Sequence, residues 1–400
     1  METRTIRWGI LATGLIAKTF AKDLLVDPRT RNVHDVRHTV VAAASSSGLE
    51  RAQQYLRDIH APQSAKGYGS YEELVGDEAI DCVYVSTPHS HHYQNVMLCL
   101  EAGKNVLCEK AFTVNAAQAR KLVETARQKN VLLMEAMWTR YFPLSIYVRE
   151  CVTSGKLGPV IRVFAENAEG DDPEKDLPDS HRLVNPALAG GVLLDMAVYS
   201  LTWVFQTLYT TQAPEVRKAP YVQSSVQKYP RTGVDELTTI LLTFPRDANS
   251  GGNMHGVASA SLRLCNDYDH KGSSGPAVRV QGTKGEVQVW PPIYRPTRTR
   301  VVLATGEVED KTWPQPGPGK GSNWYNGFEG MNPEGEGHGM FWEADEVARA
   351  LVAGRKEPRA EFQSLNESVL IMEVMDEVRK HGDLIFPAEI ETTDRVALGR

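Results

Sequence analysis

The sequence predicts two domains: an N-terminal α/β domain with a doubly wound parallel sheet, and a C-terminal α+β domain with a large, open, mostly antiparallel sheet. The chain has 400 residues, which is more than one hydrophobic core commonly serves. Strand and helix patterns alternate up to about residue 137, and consecutive strand patterns without crossover helices follow. We therefore place the domains at 1–137 and 138–400.

The first domain begins with a strand pattern at 5–11 and a helix pattern at 14–25, whose apolar residues recur at helical spacing. The segment 79–87 is a nearly continuous apolar run, as expected of a parallel strand that is covered on both faces. Short connections between such elements indicate a parallel sheet. The other strand patterns lie at 39–46, 104–109 and 131–137, and the other helix patterns lie at 49–60, 90–102 and 115–129.

The second domain has a different pattern. Strand patterns separated by turn residues indicate antiparallel pairing. They lie at 159–168, 219–227, 235–244, 256–264, 276–282, 285–290 and 297–304, and helix patterns lie at 143–154, 191–209, 339–354 and 364–381. Residues 314–338 are rich in glycine and proline, so we expect a long loop there, reaching either the active site or a partner subunit.

Composition and charge exclude several classes of protein. The net charge of −6 offers no basic field for nucleic acid or for an anionic membrane. Five cysteines occur without a CxxC spacing, which favours free thiols in a reducing compartment over disulfides or a zinc site. No apolar signal region and no run of eighteen apolar residues is evident. We expect a cytoplasmic protein that binds neither nucleic acid nor membranes.

The stretch "WGILATGLIA" has the context of a dinucleotide-binding turn, because it follows a strand and opens a helix. The three glycine positions of that fingerprint are occupied here by Ala12, Gly14 and Ala17. Gly14 permits the backbone to approach a pyrophosphate, and the helix N-terminus supplies N–H donors. By itself the stretch also fits an ordinary strand–turn–helix corner. The expected cofactor contacts in this Rossmann-type domain are Thr13, Gly14, Leu15 and Ile16.

The end of the second strand favours NADP over NAD. An NAD enzyme usually carries a carboxylate there for the ribose 2′-hydroxyl, whereas this chain has Ser45, Ser46 and Ser47, with Arg51 one turn into the helix. Hydroxyl groups and a guanidinium can bind a 2′-phosphate, and no carboxylate repels it. The alternative is a serine-rich turn that only caps the helix.

The stretch "STPHSHH" ends the next strand of the series. We reject a metal site, because no carboxylate or cysteine lies nearby at ligand spacing. Pro88 more plausibly shapes a loop beneath the ribose of a nicotinamide. The expected cofactor contacts of this loop are Thr87, Pro88, His89 and His92.

Two charged residues, Glu109 and Lys110, stand at the end of the strand 104–109, where open α/β sheets bind their ligands. In the second domain, Asp195 and Tyr199 are four residues apart and share one helix face. A phenol with a pKa near 10 needs a neighbouring cation to transfer protons near neutral pH, and Lys110 could supply that charge. The alternatives are a solvated lysine and a core tyrosine.

Six stretches together resemble the oxidoreductases of the glucose–fructose oxidoreductase/inositol dehydrogenase group, the Gfo/Idh/MocA family. They are "WGILATGLIA", "YGSYEELVGDEAIDCVYVSTPHSHH", "LEAGKNVLCEKAFTVNAAQA", "LMEAMWTRYFP", "AGGVLLDMAVY" and "GHGMFWEADEVARAL". The resemblance runs from about residue 5 to 385, with the motifs in the family's order and spacing. It is strongest to the branch that contains the dimeric dihydrodiol dehydrogenases and the fungal NADP-dependent D-xylose 1-dehydrogenases.

The resemblance implies residue roles. Lys110 falls on the lysine of the family's Glu-Lys-Pro motif, Tyr199 on its catalytic tyrosine and Asp195 on its aspartate. Trp138 matches an aromatic residue that lines the dihydrodiol dehydrogenase pocket. Ala111 departs from the pattern, since the family commonly has a proline there, often at a cis peptide bond. The backbone geometry at Lys110 therefore stays open.

The implied function is NADP-dependent oxidation of a cyclic aldose at C1, with D-xylose to D-xylonolactone as the primary hypothesis. In this reading Tyr199 removes the hydroxyl proton, Lys110 stabilises the developing negative charge, and both converge on one nicotinamide. A trans-dihydrodiol or another sugar as substrate, and a non-catalytic NADP-binding regulatory protein, remain alternatives. The further candidates for the substrate are Trp138, Arg140, Asn167, His181 and Arg182, and Glu109, Trp138 and Arg140 are also expected near the cofactor.

We also expect a homodimer. The stretches 238–244 and 256–264 alternate small and apolar residues on one side, so the open face of the second sheet should be apolar enough to need cover. Two such faces from two copies of the chain would cover each other.

Overall fold

The computed structural model describes residues 3–328 and 332–395. The chain forms two compact units: the first contains the residues up to Trp138, Pro314–Arg359 and the residues from Glu391, and the second contains Thr139–Trp313 and Ala360–Ile390. Residues 329–331 of the expected loop and 396–400 of the expected second domain lie outside the described residues.

The strands and helices follow in chain order. The strands are β1 (Arg4–Leu11), β2 (Val36–Ala44), β3 (Lys66–Tyr68), β4 (Cys82–Val85), β5 (Asn105–Glu109), β6 (Leu133–Ala136), β7 (Val160–Ala168), β8 (Tyr221–Lys228), β9 (Asp235–Phe244), β10 (Met254–Ser261), β11 (Val278–Gly282), β12 (Gly285–Val289), β13 (Arg298–Leu303) and β14 (Val308–Thr312). The α-helices are α1 (Leu15–Leu24), α2 (Leu49–Asp58), α3 (Tyr71–Val75), α4 (His89–Glu101), α5 (Ala116–Lys129), α6 (Pro143–Thr153), α7 (Pro173–Asp176), α8 (Val198–Leu208), α9 (Phe341–Val352), α10 (Leu365–His381) and α11 (Ala388–Glu391).

The first unit contains a six-stranded sheet in the order β3-β2-β1-β4-β5-β6, with every neighbouring pair parallel. This confirms the predicted doubly wound parallel sheet. The strand order reverses direction between β1 and β4, so the turns that follow these two strands lie at the point where such sheets bind ligands.

The segment Pro314–Arg359 belongs to the first unit, whereas the sequence analysis assigned it to the second domain. The reason is a buried carboxylate in α1. Asp23 accepts hydrogen bonds from the backbone N–H groups of His338 (2.9 Å), Gly339 (2.7 Å) and Met340 (2.7 Å), and from the Asn326 side chain (2.6 Å). These four donors tie the returning segment to α1.

A buried ion cluster holds the same segment at a second point. Asp345 of α9 accepts hydrogen bonds from the Arg31 guanidinium at 2.8 Å, and its other partner is the His38 ring at 2.9 Å. All three side chains are inaccessible to solvent. Because these partners are separated by more than 300 residues in sequence, local sequence patterns carry no sign of the contact.

The second unit contains an eight-stranded sheet in the order β14-β13-β12-β11-β7-β10-β9-β8. Its pairs are antiparallel except for β7 with β10, which confirms the predicted mostly antiparallel sheet. Helix α8 packs on one face of this sheet, against β7 and β10.

The expectation of an apolar open face was wrong in part. In β9 the larger apolar side chains Ile240, Leu242 and Phe244 are buried on the face covered by α8, where the rings of Phe244 and Phe205 lie 5.4 Å apart. Along each strand the side chains alternate between the two faces. The opposite face therefore carries Leu241 with half-buried neighbours and polar residues.

The segment Pro186–Leu208 has the length and mean hydropathy (1.6) of a membrane-spanning helix. However, 94% of its most apolar window is buried inside the protein. It is also not one regular helix, because a π-helical turn at Leu193–Ala197 precedes α8. We interpret it as the core helix of the second unit.

Candidate active site

The turn between β1 and α1 fits a bound dinucleotide. Gly14 is the N-cap of α1, it carries no side-chain cap, and the first turn of the helix contains no acidic residue. A Cβ atom added at Gly14 would meet no atom within 4 Å, so space is open above the turn. Leu15 is exposed and Ile16 is half-buried. Free N–H groups at a helix N-terminus beside open space suit a pyrophosphate.

The residues predicted to select NADP lie beside this turn, with one correction. The Ser45 hydroxyl is buried, accepts a hydrogen bond from Ser47 N (3.2 Å) and contacts the Thr13 hydroxyl (3.3 Å). The Ser45 hydroxyl is therefore engaged in holding the turn, and it is too buried to contact the cofactor as predicted. Ser46, Ser47 and Arg51 are exposed. Arg51 donates to the Thr13 carbonyl at 3.3 Å, which holds its guanidinium over the turn.

His92 is a positioning residue rather than a direct cofactor contact. Its ring is fully buried, and its two nitrogens lie 2.8 Å from the carbonyl oxygens of Thr87 and Ala111. Burial, together with the charge of Lys110, lowers the pKa of His92 to about 4. The neutral ring can donate to only one of the two carbonyls. His92 thus links the loop after β4, which contains the exposed Pro88, to the loop after β5.

Glu109 and Lys110 follow β5 at the carboxyl edge of the sheet. Glu109 is buried, accepts a hydrogen bond from the Tyr84 hydroxyl, and accepts one from Lys110 N at 3.1 Å. The Lys110 side chain is half-buried. The Lys110–Ala111 peptide bond is cis. The sequence left open whether this peptide bond is cis or trans, because Ala111 replaces the usual proline. The structure has the cis form, which the sequence analysis associated with that proline.

A second buried carboxyl, that of Glu343, was missed by the sequence analysis. It lies in the first turn of α9 and is fully buried, and neither of its oxygens has a hydrogen-bond partner within the described residues. Burial, and then the charges of Glu109, Asp23 and Glu135, raise its pKa well above the ordinary value. A protonated Glu343 avoids adding a further buried negative charge beside Glu109.

Trp138 is buried at the end of the first unit's main segment. Its ring lies 4.3 Å from that of His338, at an interplanar angle of 31°. His338 was not among the predicted site residues, because it reaches Trp138 only through the returning segment described above. The role of Trp138 as a wall for a sugar stays a prediction.

The second unit brings Asp195 and Tyr199 together at the start of its core helix. Asp195 lies in the π-helical turn Leu193–Ala197 and Tyr199 in the first turn of α8. Such π turns are frequent at functional sites. The Arg182 guanidinium lies 2.9 Å from the Asp195 carboxylate. Because Arg182 is half-exposed, this ion pair orients the carboxylate more than it stabilises the fold.

Two more of the predicted residues and one missed residue surround this pair. Asn167 is buried at the end of β7 and donates to Met196 O at 3.4 Å. His181 is half-buried, and burial lowers its pKa. The missed residue is Tyr294, whose buried ring lies 5.8 Å from that of Tyr199. It comes shortly after Pro291 and Pro292, and no sequence motif in that turn indicated a functional residue.

Asp235 was also missed, and it holds the π turn in place. Its buried carboxylate accepts hydrogen bonds from Leu193 N and from the Thr238 hydroxyl, both at 2.7 Å. Burial raises the pKa of Asp235 to about 6. Gly191 has φ +112°, and a Cβ there would lie 2.0 Å from the Asp235 carboxylate. The backbone at Gly191 therefore lies close against this carboxylate.

Arg140 was wrongly predicted as a cofactor and sugar contact. Its side chain is fully buried, its Nη2 lies 2.6 Å from the Glu367 carboxylate, and its Nη1 donates to the Phe362 carbonyl at 2.8 Å. A buried, paired guanidinium is a structural element of the core of the second unit.

The sequence matches two family models. Residues 6–137 match the model described as an oxidoreductase family with an NAD-binding Rossmann fold, and residues 146–288 match the model described as the GFO/IDH/MocA C-terminal domain. Together they cover more than half of the chain and include Lys110, Asp195 and Tyr199.

Two curated relatives match along almost the whole length. The chain is 52% identical to D-xylose 1-dehydrogenase (NADP(+)) of Hypocrea jecorina over 98% of this chain and 95% of that protein. It is 36% identical to trans-1,2-dihydrobenzene-1,2-diol dehydrogenase of Bos taurus over 96% and 99%.

Solved structures agree with the fold. Levoglucosan dehydrogenase in complex with NADH and levoglucosan has a TM-score of 0.74 at 16% identity, covering 95% of this chain and 98% of that chain. Aldose-aldose oxidoreductase from Caulobacter crescentus has a TM-score of 0.70 at 21% identity, with the same coverage. At these identities the likeness concerns the fold.

The close approach of Gly191 to Asp235 makes a testable prediction. Gly191→Ala should lower the midpoint of urea unfolding strongly, because a positive φ costs about 1–2 kcal/mol and the clash adds about 1–3 kcal/mol. Turnover should fall as well, since the π turn carrying Asp195 must move.

The matched control is Gly233→Ala, in the same unit. Gly233 also has a positive φ (+80°), but a Cβ there would meet no atom within 4 Å. Gly233→Ala should therefore lose only the part of the free energy of unfolding that comes from the positive φ, without a steric clash. Equal losses in the two variants would show that the contact with Asp235 is unimportant.

Proposed function

Because the chain belongs to the Gfo/Idh/MocA family of oxidoreductases, we propose that it oxidises the C1 hydroxyl of cyclic D-xylose to D-xylonolactone with NADP. The observation that carries this proposal is the 52% identity to D-xylose 1-dehydrogenase (NADP(+)), which extends over 98% of the chain. The matched region therefore includes both units.

The choice of NADP has support in the first unit. Ser46, Ser47 and Arg51 are exposed at the end of β2, and the guanidinium is held beside the dinucleotide turn. Arg51 would pair with the 2′-phosphate, and the two serine hydroxyls would donate to it. A carboxylate, which would repel that phosphate, does not occur at positions 45–47.

The proposed chemistry assigns proton transfer to the second unit. Tyr199, as a tyrosinate favoured by a neighbouring cation, accepts the proton of the C1 hydroxyl and becomes a neutral phenol. Asp195, oriented by Arg182, holds a second sugar hydroxyl. When bound, the nicotinamide supplies the hydride acceptor. Tyr294 packs its ring beside that of Tyr199, with the ring centroids 5.8 Å apart.

Lys110 supplies the positive charge that proton removal requires. It stabilises the negative charge that develops on the C1 oxygen as the hydroxyl proton leaves. The buried Glu109 accepts the Lys110 N–H, and His92 contacts the Ala111 carbonyl, so the backbone on both sides of the ammonium-bearing residue is fixed. Fixing a charge before the reaction lowers the reorganisation needed during it.

A second candidate substrate is a trans-dihydrodiol. The 36% identity to trans-1,2-dihydrobenzene-1,2-diol dehydrogenase over 96% of the chain favours it as the alternative. With NADP as the hydride acceptor, the same phenol and ammonium could assist the oxidation of a ring carbinol of either compound. The third possibility is the non-catalytic NADP-binding regulatory protein considered from the sequence. Such a protein would bind NADP but would oxidise neither D-xylose nor a trans-dihydrodiol.

A substrate panel tests the function. The purified protein with NADP should oxidise D-xylose with a kcat/KM at least tenfold above that for other aldopentoses, aldohexoses and trans-dihydrodiols, measured by NADPH absorbance. Equal rates on all the sugars would defeat the xylose assignment.

In the same assay, Tyr199→Phe should lose about 10²–10⁴-fold in kcat, because general base catalysis contributes that much, while NADP binding is retained. Tyr268→Phe makes the same chemical change at an exposed position of the second unit and should be neutral.

Arg51→Gln tests the cofactor assignment. The KM for NADP should rise about 10–100-fold, because a charge-assisted hydrogen bond contributes about 1.5–3 kcal/mol, and the KM for NAD should stay within about twofold. Arg57→Gln, on the same helix, is the control. A parallel rise for both cofactors would place Arg51 outside the 2′-phosphate site.

We further propose a homodimer through the open face of the second sheet, in the cytoplasm. Leu241, Val257 and Phe164 are neighbours across three strands of that face, and all are half-buried. An apolar centre with a polar rim is typical of an interface between protein chains. The described cysteines are free thiols, as in a reducing compartment.

The dimer is tested by sedimentation equilibrium. The wild-type protein should sediment as a dimer at micromolar concentration, and Leu241→Glu should convert it to monomer, since a charge would be buried without a partner. Val308→Glu, at an exposed position of edge strand β14, should leave the dimer intact. A monomeric wild-type protein contradicts the proposal.

A further inference from the structure

The second unit contains a pocket that none of the roles above uses. Its volume is about 410 Å³, within the range of sites for small molecules. It is lined by the end of α6, the turn before β7, the residues at and after the end of α8, and the starts of β10 and β12. Apolar side chains, such as Met254, form part of its lining.

Positive charge dominates the lining. Arg246 and Lys284 both line the pocket, and no residue lining it is acidic among those described. Lys284 is exposed and forms no ion pair with another described residue. Its side chain lies against Gly158, where an added Cβ would meet Lys284 Cγ at 2.9 Å.

Arg246 is held in place without a counter-ion. Its Nε donates to the Gly252 carbonyl at 2.8 Å. Its Nη2 is buried and has no hydrogen-bond partner within the described residues. A Cβ at Gly251, which has φ +107°, would lie 2.8 Å from that nitrogen. A cation that is partly removed from water and lacks a partner costs free energy, which an anion would offset.

Oxygen acceptors complete the lining. The hydroxyls of Thr153, Thr207 and Thr211 donate to backbone carbonyls of their own helices or turns, at 3.1, 2.6 and 2.8 Å. The Gln212 amide group likewise donates to the Leu208 carbonyl at 2.6 Å. Because the three hydroxyl hydrogens are committed, the threonines offer oxygen lone pairs, and the Gln212 side-chain carbonyl oxygen does so as well. These oxygens accept from hydroxyl groups of a ligand.

We propose that this pocket is a second ligand site, for a small polyhydroxylated anion such as a sugar phosphate or a sugar acid, and that its occupancy acts on the catalytic end of α8. The two cations would bind the phosphate or carboxylate group. The threonine and glutamine oxygens would accept the ligand's hydroxyl groups. A neutral polyol lacks the charge, and a bare inorganic anion lacks the hydroxyls.

Helix α8 provides the coupling, and this part rests on the proposed function. Thr207 lies in its last turn and Tyr199 in its first. Eight residues separate them, about 12 Å along the axis at 1.5 Å per residue. A ligand that pulls on Thr207, Thr211 or Gln212 displaces a rigid, buried helix, and Tyr199 moves with it.

Calorimetric titration of the protein with saturating NADP tests the site, since the dinucleotide's own phosphate site is then filled. The probes are ribose 5-phosphate, D-gluconate, inorganic phosphate and ribitol. Ribose 5-phosphate, gluconate or both should bind at least tenfold more tightly than inorganic phosphate and ribitol. Stronger binding of the phosphate than of gluconate, or the reverse, identifies the anionic group.

Variants assign the binding to the pocket. Lys284→Gln and Arg246→Gln should each weaken binding at least tenfold, and Thr211→Trp, which fills the pocket without changing charge, should abolish it. Lys218→Gln, an exposed lysine of the same unit, is the matched control. Lys284 is exposed, so its substitution keeps the test valid even if Arg246→Gln fails to fold.

Kinetics with D-xylose test the coupling separately. The bound probe should change kcat or KM at least twofold in the wild-type protein and leave Lys284→Gln unaffected. Binding that leaves turnover unchanged supports the site and overturns its coupling to α8. Absence of binding by all four probes, or binding that survives both Lys284→Gln and Thr211→Trp, overturns the site whether or not xylose is the substrate.

Discussion

The arrangement of the second unit depends on one contact, between the Asp235 carboxylate and the backbone at Gly191–Leu193. The carboxylate accepts the Leu193 N–H at 2.7 Å, and only a residue without a Cβ fits at position 191 beside it. This contact fixes where the π-helical turn begins, and that turn sets the direction of Asp195 and Tyr199. Burial raises the pKa of Asp235 to about 6, and the hydrogen bonds from Leu193 N and the Thr238 hydroxyl oppose that rise by favouring the ionised carboxylate.

The first unit contains the same kind of interaction at Asp23. There, too, a buried carboxyl group, on helix α1, accepts hydrogen bonds from backbone N–H groups of a segment without regular secondary structure. These hydrogen bonds hold that segment against the helix. Burial raises the pKa of Asp23, and the hydrogen bonds oppose that rise by favouring the ionised form. In both units a buried carboxyl group supplies the hydrogen-bond acceptor for backbone N–H groups at the point where the chain leaves regular secondary structure.

The sequence predicted whatever depends on local pattern. The strand predicted at 235–244 is β9 to the residue, and the dinucleotide turn, the serine-rich turn and the Asp195–Tyr199 pair all lie on the expected elements. The short strands β3 and β14 were missed because three to five residues carry little periodicity. Arg140 and the segment Pro314–Arg359 were misplaced because their partners, Glu367 and Asp23, are more than 200 residues away in sequence. Ion pairs and hydrogen bonds between residues so far apart in sequence leave no local pattern.

The complete burial of helix α8 accounts for the position of the polar functional side chains at its two ends. Within α8 every side chain is buried, and Thr207 in its last turn donates its hydroxyl hydrogen to Trp203 O of the same helix. At its start the π turn and the loop before it leave backbone groups and side chains available, and at its end Thr211 and Gln212 are only half-buried. A helix this apolar can transmit a displacement but cannot bind a polar ligand along its length. Recognition by α8 is therefore confined to its two ends, where Asp195 with Tyr199 and the basic pocket are found.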